Sequence, residues 1–210
     1  MKGFSSKTQM NNQFKLADLA KNLSMNREEK DEFKQIESIT LTHALNSETT
    51  GLKATDSVEL IYIFRLKLKT KNLPLKFIKV LDKKTKAHTI YEIENESRYY
   101  YIMTNKRVSG NIGVGEYVVK ESLQEWEFQQ QKKIITLEDI YTILLALVLK
   151  LIMRPGETAD NIVERKKRIN ELEKEVIKLE RKKDNELQFN KKVELNEKIR
   201  ALKAQIEGES

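Results

Sequence analysis

The residue composition changes abruptly at Arg154-Pro155-Gly156, and this break constrains the fold more than any other feature of the chain. Before it, aromatic and β-branched segments alternate with short amphipathic ones. After it there is no further proline, and Lys, Glu, Arg, Leu and Ile dominate. Because proline disfavours helical geometry in the residue that precedes it, the break separates two regions. We therefore predict one domain over residues 1–153 and a charged helical arm over residues 157–207.

The arm carries apolar residues at the 3-4 spacing of a coiled-coil seam. Two runs share this spacing and are the predicted partner-binding residues: Ile169, Leu172, Val176 and Leu179, then Leu195, Ile199, Leu202 and Ile206. The register breaks near residues 184–190, so the chain either turns there into an antiparallel hairpin or continues as one long helix with a stutter. We favour the hairpin, because it can bury both seams within one chain, whereas a single helix requires a partner.

The region before the break alternates helical and strand patterns. The strongest is the strand over residues 57–69, in which apolar residues recur with a period of two. The predicted elements are helices over 14–22, 25–37, 75–84 and 140–153, and strands over 38–45, 57–69, 88–93, 98–104, 116–120 and 126–129. This order predicts an α+β fold, with a mostly antiparallel sheet and flanking helices, followed by the coiled-coil-like helical hairpin.

The most apolar run covers residues 140–153 and ends just before the break. A bilayer span needs about 20 apolar residues, and this run is shorter and contains Lys150. Thr136, followed by Glu138 and Asp139, has the pattern of a helix N-terminus. We therefore expect a core helix here and no membrane contact.

Cysteine is absent from all 210 residues, which excludes disulfides, thiolate zinc sites and thiol nucleophiles. The two histidines, His43 and His88, are too few for a multi-histidine metal site. We therefore expect neither a metal nor a cofactor. The sequence does not open with a secretory leader, and from this we expect a cytoplasmic protein.

Positive charge is concentrated between Arg65 and Lys86. This segment contains nine Lys and Arg residues against the single acid Asp82, a net +8, whereas the whole chain carries +7. Strand alternation and helical spacing each place three of the cations on one side of successive elements. The predicted nucleic-acid-binding residues are Arg65, Lys67, Lys69, Lys76, Lys79 and Lys83. The alternative is a solvated sheet face on which lysines protect an edge strand from aggregation.

The consecutive tyrosines Tyr99, Tyr100 and Tyr101 allow a second interpretation of the same region. Aromatic side chains on a strand can stack on nucleic-acid bases, but they are also common strand formers. Alternation sends Tyr99 and Tyr101 to one face and Tyr100 to the other. We therefore expect at least one of the three to belong to the core.

A metal-dependent nuclease of the restriction-enzyme type would need an acidic residue and then an acid-x-Lys pair on the next strand. Asp56 and Glu59 precede the strand that carries Lys67, but the residue two positions before that lysine is Arg65. Arginine has no acceptor atom and cannot bind a metal ion. The sequence therefore gives this reaction little support.

The segments taken together resemble a bacterial family, domain of unknown function 4391. The strand over residues 57–69, the helix ending Val80-Leu-Asp-Lys-Lys84 and the strand Thr89-Ile-Tyr-Glu-Ile93 are similar to its central part. Residues 171–183 and 188–203 resemble its charged C-terminal helices. Members of the family are uncharacterised and are commonly encoded beside DNA methyltransferases and helicases of restriction or phage-defence islands. The resemblance implies an accessory role around DNA and carries over no catalytic residue.

These observations predict a non-enzymatic accessory or assembly protein of a bacterial restriction-modification or phage-defence system. In this interpretation the basic strand and helix contact DNA, and the arm docks a protein partner such as a methyltransferase or helicase subunit. Two alternatives stay open. The first is a divergent or inactive metal-dependent nuclease, and the second is a homo-oligomeric structural protein whose arm serves only oligomerisation.

Overall fold

The structure is a computed structural model that describes residues 2–95, 98–108, 112–127 and 134–210. The chain divides into two compact units, Met1–Leu149 and Lys150–Ser210. The first combines a sheet with helices and the second is a helical pair. The predicted α+β class, with a mostly antiparallel sheet, flanking helices and a C-terminal hairpin, is confirmed.

A 3-10 turn at Ser6–Thr8 precedes the first strand. The strands are β1 Gln9–Gln13, β2 Ile36–Leu45, β3 Ile61–Leu68, β4 His88–Asn95, β5 Arg98–Arg107 and β6 Gly113–Ser122. The helices are α1 Leu16–Asn22, α2 Arg27–Lys34, α3 Ser47–Thr50, α4 Leu75–Lys84, α5 Leu137–Leu149, α6 Ala159–Asn185 and α7 Phe189–Glu209. The six strands form one sheet in sequence order. Among these described strands, β3 and β4 are the pair that runs parallel, and α4 makes the crossover that a parallel pair requires.

The sheet is covered on both faces, and β3 shows how. Phe64 and Leu66 are buried with the apolar side of α4 in one core. Ile61 and Ile63 alternate with them and therefore belong to the opposite face. On that opposite face His88, the β4 neighbour of Ile61, contacts the ring of Tyr141 on α5 edge-on at 4.7 Å. The period of two predicted for this strand is therefore confirmed.

Two helix N-termini are closed by reciprocal side-chain caps, the second of them at the predicted Thr136. Asn26 accepts a hydrogen bond from the Glu29 N–H at 3.0 Å, and the Glu29 carboxylate accepts one from the Asn26 N–H at 2.7 Å. Thr136 and Asp139 make the same reciprocal pair before α5, at 3.1 and 2.8 Å. Each pair satisfies N–H groups that have no partner inside the helix.

The predicted end of α5 at residue 153 is wrong. The helix stops at Leu149, because Lys150 adopts a left-handed backbone with φ of 59°. The helix predicted over residues 25–37 likewise ends earlier, at Lys34, since β2 already begins at Ile36. In both cases a helix-compatible sequence is overridden by a turn that leads into the next element.

The edge strand β1 was not predicted. Its five residues are all exposed, and it pairs with β2 across an irregular register. Because the strand buries neither face, its sequence lacks the alternation that signals a strand. The strand predicted over 126–129 lies partly outside the described residues, and Glu127 forms a single parallel bridge with Lys2.

The second unit is an antiparallel hairpin, so the alternative of one continuous helix is wrong. The helical path is interrupted at Glu186, which has extended geometry, and α7 then returns along α6. Lys203 and Glu180 bridge the two helices at 2.8 Å. Four of the seam residues are buried, namely Ile169, Val176, Leu195 and Ile199. The other four are half-buried, namely Leu172, Leu179, Leu202 and Ile206. The hairpin thus uses its own seams as its core.

Arg165 fixes the base of this hairpin. Its guanidinium is buried and binds both carboxylate oxygens of Glu157 at 2.7 Å. It also donates to the carbonyl oxygens of Ile152 at 2.8 Å and Glu209 at 2.5 Å. One side chain therefore ties both ends of the unit together. Within the ranges described above, no helix combines the length and apolarity needed to cross a membrane.

Candidate functional site: the lysines around α4

Arg65 does not belong to an exposed basic surface. It lies opposite Glu92 on the neighbouring strand, and its Nε and Nη2 atoms donate to Glu92 Oε2 at 3.0 and 2.9 Å. Nη2 also contacts Glu125 Oε1 at 2.5 Å. Partial burial by itself would lower the pKa of Arg65, but the two carboxylates outweigh burial and raise that pKa. The cation is therefore held and neutralised by its own sheet.

The same network removes one tyrosine from any base-stacking role. Tyr101 is buried, donates to Glu92 Oε1 at 3.1 Å and accepts the Trp126 N–H at 2.7 Å. Its ring stacks on Trp126 with centroids 4.0 Å apart. Burial raises the pKa of Tyr101, and the Glu92 carboxylate raises it further. Tyr100 faces the opposite core, so the tyrosines divide between the faces as alternation requires.

Asp82, the one acid of the basic segment, is also withdrawn from the surface. Its carboxylate is fully buried and pairs with Lys106 Nζ at 3.1 Å. Tyr91, Thr89 and Tyr117 donate their hydroxyls to the same carboxylate. Because this charge is neutralised internally, it cannot offset the exposed lysines of its own helix.

Acidic residues of α2 neutralise the first turn of α4. Lys76 Nζ binds the Glu28 carboxylate at 2.6 Å, and this hydrogen bond raises the pKa of Lys76. Glu32 Oε2 accepts the backbone N–H groups of Lys76 at 2.7 Å and Phe77 at 3.0 Å. The cap residue Pro74 provides no side-chain hydrogen bond, so Glu32 occupies the anion-binding end of α4 in its place.

The other half of α4 keeps its charge. Lys79 and Lys83 are exposed, and the described part of the chain provides neither with an ion-pair partner. They lie four residues apart and hence on one side of the helix. Lys84 and Lys86 are exposed just beyond them. We call these four residues the α4 lysine cluster.

The structure does not join the predicted strand cations to this cluster. Lys67 is exposed but shares the sheet face of Arg65, whereas α4 packs on the opposite face. Lys69 donates its Nζ to the Lys34 carbonyl oxygen at 3.1 Å. Of the six predicted residues, Lys79 and Lys83 therefore stay together on one surface. The sequence did not show that Glu125, Glu28 and Glu32 pair with or cap some of the six predicted residues. The acidic run in α2 could have indicated that nearby lysines would be neutralised.

The acids considered for a nuclease lie elsewhere. Asp56 and Glu59 line an open cavity of about 350 Å³ at the start of β3, beside His88. Lys67 lies at the opposite end of the same strand. Burial lowers the pKa of His88 to about 4, and its Nε2 bonds the Lys106 carbonyl oxygen at 2.8 Å. Over the described ranges, no three His, Asp or Glu side chains are grouped so as to hold a metal ion.

Comparisons with known proteins identify a family and nothing finer. The family model of DUF4391, a domain of unknown function, matches residues 4–206 of the chain. No curated protein and no solved structure matches the chain.

Proposed function

The chain belongs to the DUF4391 family, and we propose that it is a cytoplasmic, non-enzymatic accessory protein that binds the DNA backbone through the α4 lysine cluster. The observation that carries this proposal is the pair Lys79 and Lys83, exposed on one side of α4 and without an ion-pair partner in the described residues. The wider setting is a bacterial restriction-modification or phage-defence system, as the family resemblance implies. A methyltransferase or helicase subunit is the protein partner expected there.

The charge distribution supports binding to a polyanion. Lys76 is paired with Glu28 and Arg65 with Glu92, so two of the predicted contacts are already occupied. The α4 lysine cluster runs from Lys79 to Lys84, which is about 8 Å of helix, and on to Lys86 just beyond the end of α4. Duplex DNA carries one negative charge for about every 1.7 Å of its axis, so several phosphates lie within reach of these side chains.

Backbone contacts of this kind favour affinity without sequence preference. Lysine side chains that meet phosphates release condensed counterions, and that release makes binding sensitive to salt. Sequence is read by contacts to base edges in the grooves. Tyr91 and Tyr101 are buried, so neither supplies a stacking surface for bases. We therefore expect weak, salt-dependent binding that a partner protein directs to its target.

The test compares two double variants that remove the same charge. Lys79→Gln/Lys83→Gln alters the cluster, and Lys7→Gln/Lys21→Gln alters two exposed lysines elsewhere in the first unit. Fluorescence anisotropy with a labelled DNA duplex is measured over a series of salt concentrations. We expect the cluster variant to bind at least about tenfold more weakly and to reduce the salt slope by about 2, since each phosphate contact contributes about 0.9.

The control variant should bind like the native protein. Equal weakening of both variants, or no binding by the native protein at low salt, would overturn the proposal. Cleavage of the duplex that requires a divalent metal and survives the cluster substitutions would instead support the nuclease alternative.

A further inference from the structure

The turn between α6 and α7 presents two large apolar side chains to solvent. Leu187 is 95% exposed and Phe189 is 76% exposed. Glu186 fixes this turn, because its carboxylate accepts the backbone N–H groups of Leu187 and Gln188 at 3.0 Å each. Those hydrogen bonds lower the pKa of Glu186, and the nearby Lys191 and Lys182 lower it further. We call Leu187, Phe189, Lys182 and Lys191 the arm tip.

An open groove of about 630 Å³ lies between α6 and α7 towards the other end of the arm. Its lining residues are Arg168, Glu171, Leu172 and Glu175 from α6 and Gln205, Gly208 and Glu209 from α7. Arg168 pairs with Glu209 at 3.6 Å, which leaves the charges of Glu171 and Glu175 in excess. The two glutamates are exposed, and the described residues include no cation paired with either. Like charges four residues apart on a helix repel each other, so this pair favours an approaching cation. We call this feature the acidic groove.

The arm tip and the acidic groove lie on the same side of the hairpin. Lys182 follows Glu175 by seven residues, or two helical turns, and therefore shares its side of α6. Lys191 precedes Gln205, another residue that lines the groove, by four turns of α7. This face of the arm is thus acidic at one end and basic at the other, with Leu187 in the turn at its basic end, and so it is complementary to itself when reversed. Phe189, two residues before Lys191, lies on the opposite side of α7.

We propose that the arm pairs in antiparallel fashion with the arm of a second copy of this chain. Leu187 of each copy then enters the acidic groove of the other, beside Leu172. Lys182 and Lys191 meet Glu171 and Glu175 in the same contact. Because each arm contributes both surfaces, the pairing is closed and two-fold, and it joins two hairpins as a four-helix assembly.

A second copy accounts for both surfaces at once. An anionic lipid surface would take up the apolar and basic tip but leave Glu171 and Glu175 without cations. A foreign protein would have to supply its own acidic pocket for the tip. The groove on this same chain already has the two carboxylates and the apolar Leu172 that the tip requires.

The test uses charge reversal in the full-length chain, with mass measured by light scattering and sedimentation equilibrium. The groove variant is Glu171→Lys/Glu175→Lys and the tip variant is Lys182→Glu/Lys191→Glu. The native chain should be a dimer, and each variant alone should dissociate, with a dissociation constant raised at least about tenfold. Mixing the two variants should restore a dimer, because each groove then meets a tip of opposite charge.

Two further variants keep the test decisive. The chain with all four reversals should again form a homodimer, while Leu187→Ser should weaken pairing in a way that no charge reversal repairs. Glu173→Lys/Glu207→Lys changes two exposed glutamates that do not line the groove and should leave the native dimer intact. Circular dichroism checks that each variant folds. A monomeric native chain, or a mixture that stays monomeric, would overturn the proposal.

Discussion

The two units of this protein bury different amounts of charge. In the first, Asp82, Glu92 and Lys106 are drawn inside and satisfied by partners far away in sequence. In the hairpin, Arg165 is the buried charged residue, and large apolar side chains such as Leu187 are left in solvent. A closed interior with exposed lysines suits a rigid binding surface, whereas an arm with exposed apolar residues suits association. Three measurements test this contrast.

The largest effect is expected from Lys106→Met. The substitution leaves the Asp82 carboxylate buried without its cation, which should cost about 3–5 kcal/mol of unfolding free energy. Trp126 is the only tryptophan and stacks on Tyr101, so its fluorescence reports unfolding of the first unit in urea. Lys79→Met, at an exposed position, is the control and should change stability by less than about 0.5 kcal/mol. Similar losses in both variants would show that the buried pair is not special.

The second effect is a loss of stability in acid caused by His88. Its pKa is lowered to about 4 in the folded state by burial, whereas an unfolded histidine titrates near 6.5. As the pH falls, the unfolded chain therefore binds a proton at His88 before the folded chain does. The contribution of neutral His88 to the free energy of unfolding is complete above pH 6.5 and declines as the pH falls towards 4. The decline is at most about 3 kcal/mol. The check is urea unfolding of the native protein and of His88→Gln, each at pH 7 and at pH 4.5. The variant should lose less stability between the two pH values than the native protein does, and equal losses would contradict the prediction.

The smallest of the three effects is expected in the hairpin, from Arg165→Met. The change removes the partner of Glu157 and two hydrogen bonds to backbone carbonyls. We expect a loss of about 2 kcal/mol, less than for Lys106, because the helix ends can fray and admit water. Hydrogen exchange should show faster opening of the amides near Ile162 and unchanged exchange in β4. Faster exchange throughout the sheet would contradict an effect confined to the arm.

Local patterns predicted the elements that depend on neighbouring residues. The helix N-terminus at Thr136, the alternation of β3 and the turn between the two seams each depend on residues within a few positions of one another. Where a boundary was wrong, a backbone turn decided it, as at Lys150. The polar strand β1 escaped prediction because it forms by pairing with β2 and not by burying a face of its own.

The candidate site was predictable only in part. The sequence showed where lysines concentrate, but exposure alone does not establish a binding surface. Arg65 is neutralised by Glu125, sixty residues away, and the first turn of α4 is capped by Glu32 from an earlier helix. No spacing rule relates these residues, because the contacts arise only when the sheet and α2 are assembled.

The residue pattern alone was enough for the family, the α+β class, the two apolar seams of the arm and the concentration of positive charge between Arg65 and Lys86. The turn that makes the arm a hairpin was favoured by the sequence and established by the structure. Which of those charges stay exposed depends on the tertiary structure. Lys79 and Lys83 are exposed, whereas Arg65 and Lys76 are paired with carboxylates. The physical reason is the range of the interactions. Periodicity and capping act within a few residues, whereas charge neutralisation depends on carboxylates that the fold brings from distant segments.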